Sequence, residues 1–257
     1  MLRNFILYIA IILFNSTLIA QQSIPNISLK KINGVPLIGI TIRQAIKSKM
    51  FNEVVVSTDS PKIQTIAKKF GAKSWFLRPK YLSNDYSSKI LAIRDAFARS
   101  EVYFNKKFDI CTDLDITSPL RNINDIKKSI KYFKKKKKLQ NLFSVCEARR
   151  NPYFNMIELK RKNQVSIIKK IKKKKNNSSA LSKTWSSFNR RQSCPKIYDM
   201  NASIYIWKRS RLLKSNRLFS SNTGIYVMPQ NRSIDIDSYF DLFLVYTVHQ
   251  SSKAQYN

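Results

Sequence analysis

Residues 51–73, "FNEVVVSTDSPKIQTIAKKFGAK", decide the fold. Val54–Val56 is a run of β-branched residues and reads as a short buried strand. Ser60 then Pro61 is a helix-start pair. A serine hydroxyl accepts from the orphan amides of the first turn, and proline suits the first helical position. Ile63, Ile66, Ala67 and Phe70 recur at helical spacing and form one apolar face, and Gly71 closes the helix. "WFLRP" (75–79) reads as the next strand. Strand, helix, strand is the repeating unit of a parallel α/β sheet.

The same alternation continues on both sides. "SSKILAIRDAFARS" (87–100) reads as a helix with Ile90, Ile93 and Phe97 on one face, and "FDICTDLDI" (108–116) as a strand ending at the turn "TSPLR". "NDIKKSIKYFKKKKK" (124–138) is an amphipathic helix with Ile126, Ile130 and Phe133 inward, and its five terminal lysines suit the negative end of the helix dipole. "NLFSVCEA" (141–148), "NASIYIWKR" (201–209), "GIYVMP" (224–229) and "RSIDID" (232–237) read as further extended segments, followed by a helix in "SYFDLFLVYTVHQ" (238–250). Residues 151–200 are polar and basic. They read as an excursion from a single domain spanning 1–257: a lid, a partner-binding arm or a solvated insertion. The apolar run Phe5–Phe14 reads as the first, fully buried strand of the sheet. Read as a signal peptide instead, it has Leu18 where a small residue should precede Ala20, and it is too short for a stable membrane span. The expected location is cytoplasmic, with export as the alternative.

Bulk composition narrows the chemistry. The 257 residues are 43% hydrophobic, enough for one large core. Three cysteines without a CxxC spacing exclude a disulfide framework or zinc site. The lone His249 sits in an apolar stretch, which argues against a histidine-dependent triad. The formal charge of +33 admits a polyanion partner, a smaller anion such as a nucleoside triphosphate, or mere lysine drift in an AT-rich gene. No nucleic-acid motif is recognisable.

Against that basic background two acidic pairs stand out: Asp113 with Asp115, and Asp235 with Asp237. On a strand, residues i and i+2 share a face roughly 7 Å apart. Like charges there require a lysine, a water network or a hard cation such as Mg2+ between them.

"NGVPLIGITIRQAIKS", "VVVSTDSPKI", "LRPKYLSND", "TSPLR", "FSVCEARRNPY", "RRQ", "NASIYI" and "RSIDID" occur in the order and spacing of the acylneuraminate cytidylyltransferase family, which the chain resembles from about Pro25 to about Asp241. These are CMP-sialic acid synthetases and relatives acting on other nine-carbon acidic sugars. "DLDITSPLR" resembles the branch for legionaminic-type sugars. The resemblance implies a Rossmann-like, mostly parallel sheet flanked by helices, of the nucleotide-diphospho-sugar transferase type, and a homodimer joined through the 151–200 excursion. It also implies transfer of CMP from CTP to the sugar acid with release of pyrophosphate, and a requirement for Mg2+. Residue by residue, it makes Asp235 and Asp237 the metal ligands and, with Arg191, the catalytic set. Arg78, Ser88, Lys89, Asp115 and Asn201 become substrate-binding positions. The chemistry is coherent, because nucleotidyl transfer needs charge neutralisation and in-line positioning more than a covalent nucleophile.

One family element is missing. The resembled proteins open with a phosphate-cradling loop, roughly Ala-Arg-Gly-Gly-Ser-Lys-Gly-x-Pro-x-Lys-Asn. Counting back from Asn33–Gly34, this chain offers "TLIAQQSIPNIS". Leu18 stands at the arginine position, Gln22 and Ile27 at the lysine positions and Ser28 at the asparagine position, and no glycine precedes Gly34. Three readings follow: a locally frameshifted stretch, a non-catalytic family member, or an unfamiliar mode of nucleotide binding.

Overall fold

The computed structural model describes residues 6–14, 24–84, 86–161, 164–169 and 190–254. The N-terminal apolar run supplies an interior strand, β1 (Tyr8–Phe14). It pairs in parallel with β4 (Glu53–Thr58) on one side and β5 (Ile110–Leu114) on the other. Both of its faces are buried. Ala10 and Ile12 enter one core layer with residues of α1 (Leu37–Ser48), α2 (Pro61–Lys69), α4 (Ile123–Lys135) and α6 (Tyr239–Ala254). Ile9 and Ile11 enter a second layer with α3 (Lys89–Phe104) and α5 (Arg209–Lys214). Helices on both faces explain why the run is continuously apolar rather than alternating.

Three more strands complete the sheet: β6 (Asn141–Glu147), β9 (Tyr198–Lys208) and β10 (Thr223–Val227), in the order β10-β6-β9-β5-β1-β4. β9 runs antiparallel to β5 and β10 parallel to β6, so the sheet is mixed and mostly parallel, as expected for an α/β fold. Ser60 caps α2 by accepting from the Ile63 amide, and Pro61 is its first residue. Asn122 and Asp125 form a reciprocal capping box at the start of α4.

The sequence reading assigned no element to α1. The helix follows a small hairpin, β2 (Lys31–Ile32) and β3 (Val35–Pro36), turned by Asn33 and Gly34 with φ of 49° and 78°. Two successive positive φ values are what a type I′ turn demands.

Two expected strands are not strands. Residues 75–79 make only one isolated parallel bridge, at Leu77 with Thr58, and a second lies just before them, at Lys73 with Val55. Between those bridges Trp75 turns away to stack on Tyr103 at 4.0 Å. Residues 233–237 join no ladder either. The Ile236 amide donates to the Thr117 carbonyl at 2.9 Å and Asn201 Nδ2 to Ser233 Oγ at 2.9 Å, which ties them beside the end of β5.

The chain divides into two compact units, Met1–Cys146 with Met200–Asn257, and Glu147–Asp199. The second holds an antiparallel ribbon of β7 (Ile157–Leu159) and β8 (Val165–Ile167). No helix among the described residues is long and apolar enough to cross a membrane.

Candidate functional site

In open α/β sheets, ligands bind in the crevice beyond the carboxyl ends of the parallel strands. β1, β4 and β5 place Leu13, Thr58 and Asp115 at such ends. A cleft of about 230 Å³ lies there, and Arg78, Lys89, Asp115 and Thr117 contribute its polar wall.

Lys89, the first residue of α3, answers the question raised by Asp113 and Asp115. Its ammonium lies 3.0 Å from Asp113 and 2.6 Å from Asp115. Asp113 is wholly buried, whereas about a third of the Lys89 side chain is exposed. Burial disfavours the ammonium, but the two carboxylates outweigh it and raise its pKa. Burial raises the pKa of Asp113 even against the pull of Lys89. For Asp115, Lys89 and two hydrogen bonds from Thr117 overcome burial, and its pKa falls. Lys89 also lies 4.9 Å from the centre of the Tyr205 ring.

Asp235 adjoins this cluster. Burial first, then repulsion from Asp115, lifts its pKa to about 7, opposed by Thr117. Its Oδ1 is buried without a hydrogen-bond partner. Asp237 is exposed, and burial together with Asp241 and Asp115 pushes its pKa up. The fields of Asp115, Asp235 and Asp237 therefore overlap, although no three metal-ligating side chains converge into a closed ligand set among the described residues. A buried carboxylate oxygen with no partner, beside a second carboxylate, is a chemically suitable donor pair for a hard cation that keeps water and phosphate oxygens as its other ligands.

Arg78 is buried in the wall, and its Nε donates to Ser83 Oγ at 3.1 Å. Burial lowers its pKa to about 10, with Asp59 and Asp95 drawing it back, so it stays cationic at neutral pH. Ser88 is the exposed N-cap residue of α3, but its hydroxyl does not cap. Ser87, one residue earlier, lines the cleft. Asn201 lies underneath, with its amide engaged by Ser144 Oγ (2.6 Å), Ser233 Oγ (2.9 Å) and Met228 Sδ (3.6 Å). It links β6, β9 and the loop that carries Asp235. Arg191 belongs to the second unit, where it donates to the Arg149 carbonyl at 2.8 Å and lines a cleft of about 270 Å³ with Glu147, Asn151 and Lys196.

Two features escaped the sequence reading. Arg121, the last residue of "TSPLR", is 1% exposed and gathers the site from beneath. Its guanidinium donates to the Asp115 and Ser203 carbonyls, to Thr41 Oγ1 and to Gln44 Oε1. A turn arginine carries no local sign of such burial. The second is the place of Ile27, already noted as a departure. It stands where the resembled proteins have a lysine, and it lines the cleft as an apolar residue. Leu18 and Gln22, the other departures from the phosphate loop, lie outside the described residues.

The cytidylyltransferase family model matches residues 22–246, beginning within the departing segment. The chain is 41% identical to post-translational flagellin modification protein B of Campylobacter coli over 225 residues, 88% of each chain. It is 41% identical, over the same shares, to CMP-N,N'-diacetyllegionaminic acid synthase of Campylobacter jejuni. A solved CMP:2-keto-3-deoxy-manno-octonic acid synthetase complexed with CTP has the same fold, with a TM-score of 0.65 at 15% identity, covering 96% of this chain and 99% of that one. With a match spanning nearly the whole chain, and with the parallel-strand cleft and its carboxylates in place, the protein belongs to the cytidylyltransferase family.

Proposed function

We propose that this protein transfers CMP from CTP to a nine-carbon acidic sugar of the legionaminic or sialic type, releasing pyrophosphate, in the synthesis of surface glycans such as lipopolysaccharide. The reading rests on one observation above all: Arg78, Lys89 and Asp115 line a cleft beyond the strand ends, and Asp235 lies beside it with an unpartnered buried oxygen. The 41% identity to a legionaminic acid synthase supports the substrate class.

Asp235 and Asp237 would hold Mg2+, which supplies Lewis-acid neutralisation of the phosphate charge when bound. Lys89 keeps Asp113 and Asp115 from repelling one another, so Asp115 stays ionised and accepts hydrogen bonds from sugar hydroxyls. Arg78 presents a cationic fork to phosphate or to the sugar carboxylate. Asn201 and Arg121 hold the backbone that carries these groups. Arg191 would act from the excursion, residues 151–200, which would also join two copies in a dimer. The setting is cytoplasmic, where CTP is found.

The test is pyrophosphate release by the purified chain with CTP, Mg2+ and N,N'-diacetyllegionaminic, pseudaminic or N-acetylneuraminic acid. Turnover that D235N abolishes supports the proposal; no turnover with any of the three acids refutes it. The lost phosphate-loop residues favour a second reading, a family member that no longer turns over. It predicts a folded chain that binds CMP-sugar or CTP, measured by calorimetry, without releasing pyrophosphate.

A further inference from the structure

The end of the sheet opposite the cleft carries a different kind of surface. Asp115 follows the last residue of β5, whereas Lys208 pairs with its first residue, Ile110. β6 and β10 begin at this same far end, at Asn141 and Thr223. Here α4 terminates and Lys134–Lys138 follow one another, all exposed. Ile126, Ile130 and Phe133 pin the helix into the core, so its lysines are forced outward. From Ile126 to Cys146 the chain has eight lysines and no carboxylate. Lys208 donates to the Lys137 carbonyl at 2.7 Å and adds its charge to the group.

A loop with two exposed apolar side chains, Leu218 and Phe219, adjoins these lysines. It is joined to this end by the Gln140 amide donating to the Asn222 carbonyl at 2.9 Å and by Asn141 Nδ2 donating to the Leu218 carbonyl. Arg211 holds it in shape by donating to the carbonyls of Arg217 (2.8 Å) and Phe219 (3.1 Å). Carboxylates at this end are already engaged: Glu101 with Arg209 at 2.8 Å, Asp109 with the Leu7 amide at 2.9 Å and Glu53 with Lys106 at 3.8 Å.

We propose that this end of the molecule docks on an anionic lipid bilayer, with Lys134–Lys138 and Lys208 against the headgroups and Leu218 and Phe219 entering the interface. Ammonium groups on flexible stems suit a diffuse layer of lipid phosphate, whereas fixed phosphate recognition favours arginine forks. Clusters of four to eight basic residues beside apolar side chains are the usual composition of a peripheral membrane surface. The geometry leaves the cleft facing away from the membrane, open to soluble ligands.

The test is co-sedimentation of the full chain with phosphatidylcholine vesicles, with and without 30% phosphatidylglycerol as a probe fraction of roughly bacterial charge density. Binding is expected only to the anionic vesicles and should be abolished by ~0.5 M salt. K135Q/K136Q/K137Q/K138Q should weaken it on the order of 1000-fold. L218S/F219S should weaken it about 10-fold or more without changing the salt slope. Circular dichroism checks that both variants fold, and neither touches the cleft. Equal binding to neutral vesicles, or no loss with the lysine variant, overturns the proposal. So does tighter, vesicle-displacing binding of poly(U) that ignores L218S/F219S, which would assign the lysines to RNA.

Discussion

Replacing Lys89 by Met tests the central electrostatic argument, because it deletes the one cation between two strand carboxylates. Asp113 is wholly buried and 3.0 Å from the ammonium, and Asp115 is 2.6 Å away. Removing one member of a buried ion pair costs about 3–5 kcal/mol. Since about a third of the Lys89 side chain meets solvent, the lower end applies, about 3 kcal/mol. For a chain of this size that lowers Tm by about 6–12 °C. The pH dependence carries the sign. Without Lys89, the pKa of Asp113, already raised by burial, rises further above its unfolded value of about 3.9. Stability is then present below that unfolded value and is lost as pH rises through the folded one. Lys89 itself, with its pKa raised in the fold, stays charged throughout this range. The loss in K89M should therefore be larger at pH 8 than at pH 5, and D113N added to K89M should restore most of it. Urea unfolding followed by tryptophan fluorescence, with Trp207 buried in the core as reporter, measures all three proteins. Equal losses at both pH values, or no rescue by D113N, would mean that Lys89 acts through the packing of its stem and would refute the charge-balance account.

Other substitutions separate the remaining roles. D235N should abolish pyrophosphate release yet stabilise the metal-free protein at pH 8. Its carboxyl is protonated when folded until about pH 7, so stability falls from about pH 4 through 7, on the order of 4 kcal/mol at most. The variant's Tm should lack that slope. Mg2+ should raise wild-type Tm more at pH 8 than at pH 5.5, since only the ionised carboxyl binds it; equal effects would remove Asp235 as a ligand. R121M should cost about 3–5 kcal/mol in urea unfolding, because its acceptors lose a buried guanidinium, and R121K should not recover it, because an ammonium cannot span Thr41, Gln44 and Ser203 together. N122A should cost about 1 kcal/mol by removing the capping box of α4, with no effect on CTP binding.

The α/β class, the two-sided burial of β1, the capped start of α2 and the inward face of α4 were all legible in the sequence. Each follows from local periodicity or from the chemistry of one turn, which a linear reading can carry. The family was legible too, because its short motifs recur in order along nearly the whole chain. What the tertiary structure alone decided is how separated polar residues share one space. The order of carboxylates along the chain says nothing about which counter-charge lies between them. Lys89 reaches Asp113 and Asp115 because α3 begins where β5 ends. Asp235 joins them because the Ile236 amide bonds to Thr117 and Asn201 holds Ser233, in a segment that read as a strand yet pairs with none. Arg121 looked like an ordinary turn residue until helix, strand and loop closed over it. Contacts between residues 80 or 100 positions apart leave no periodic trace, since they depend on the packing of whole elements.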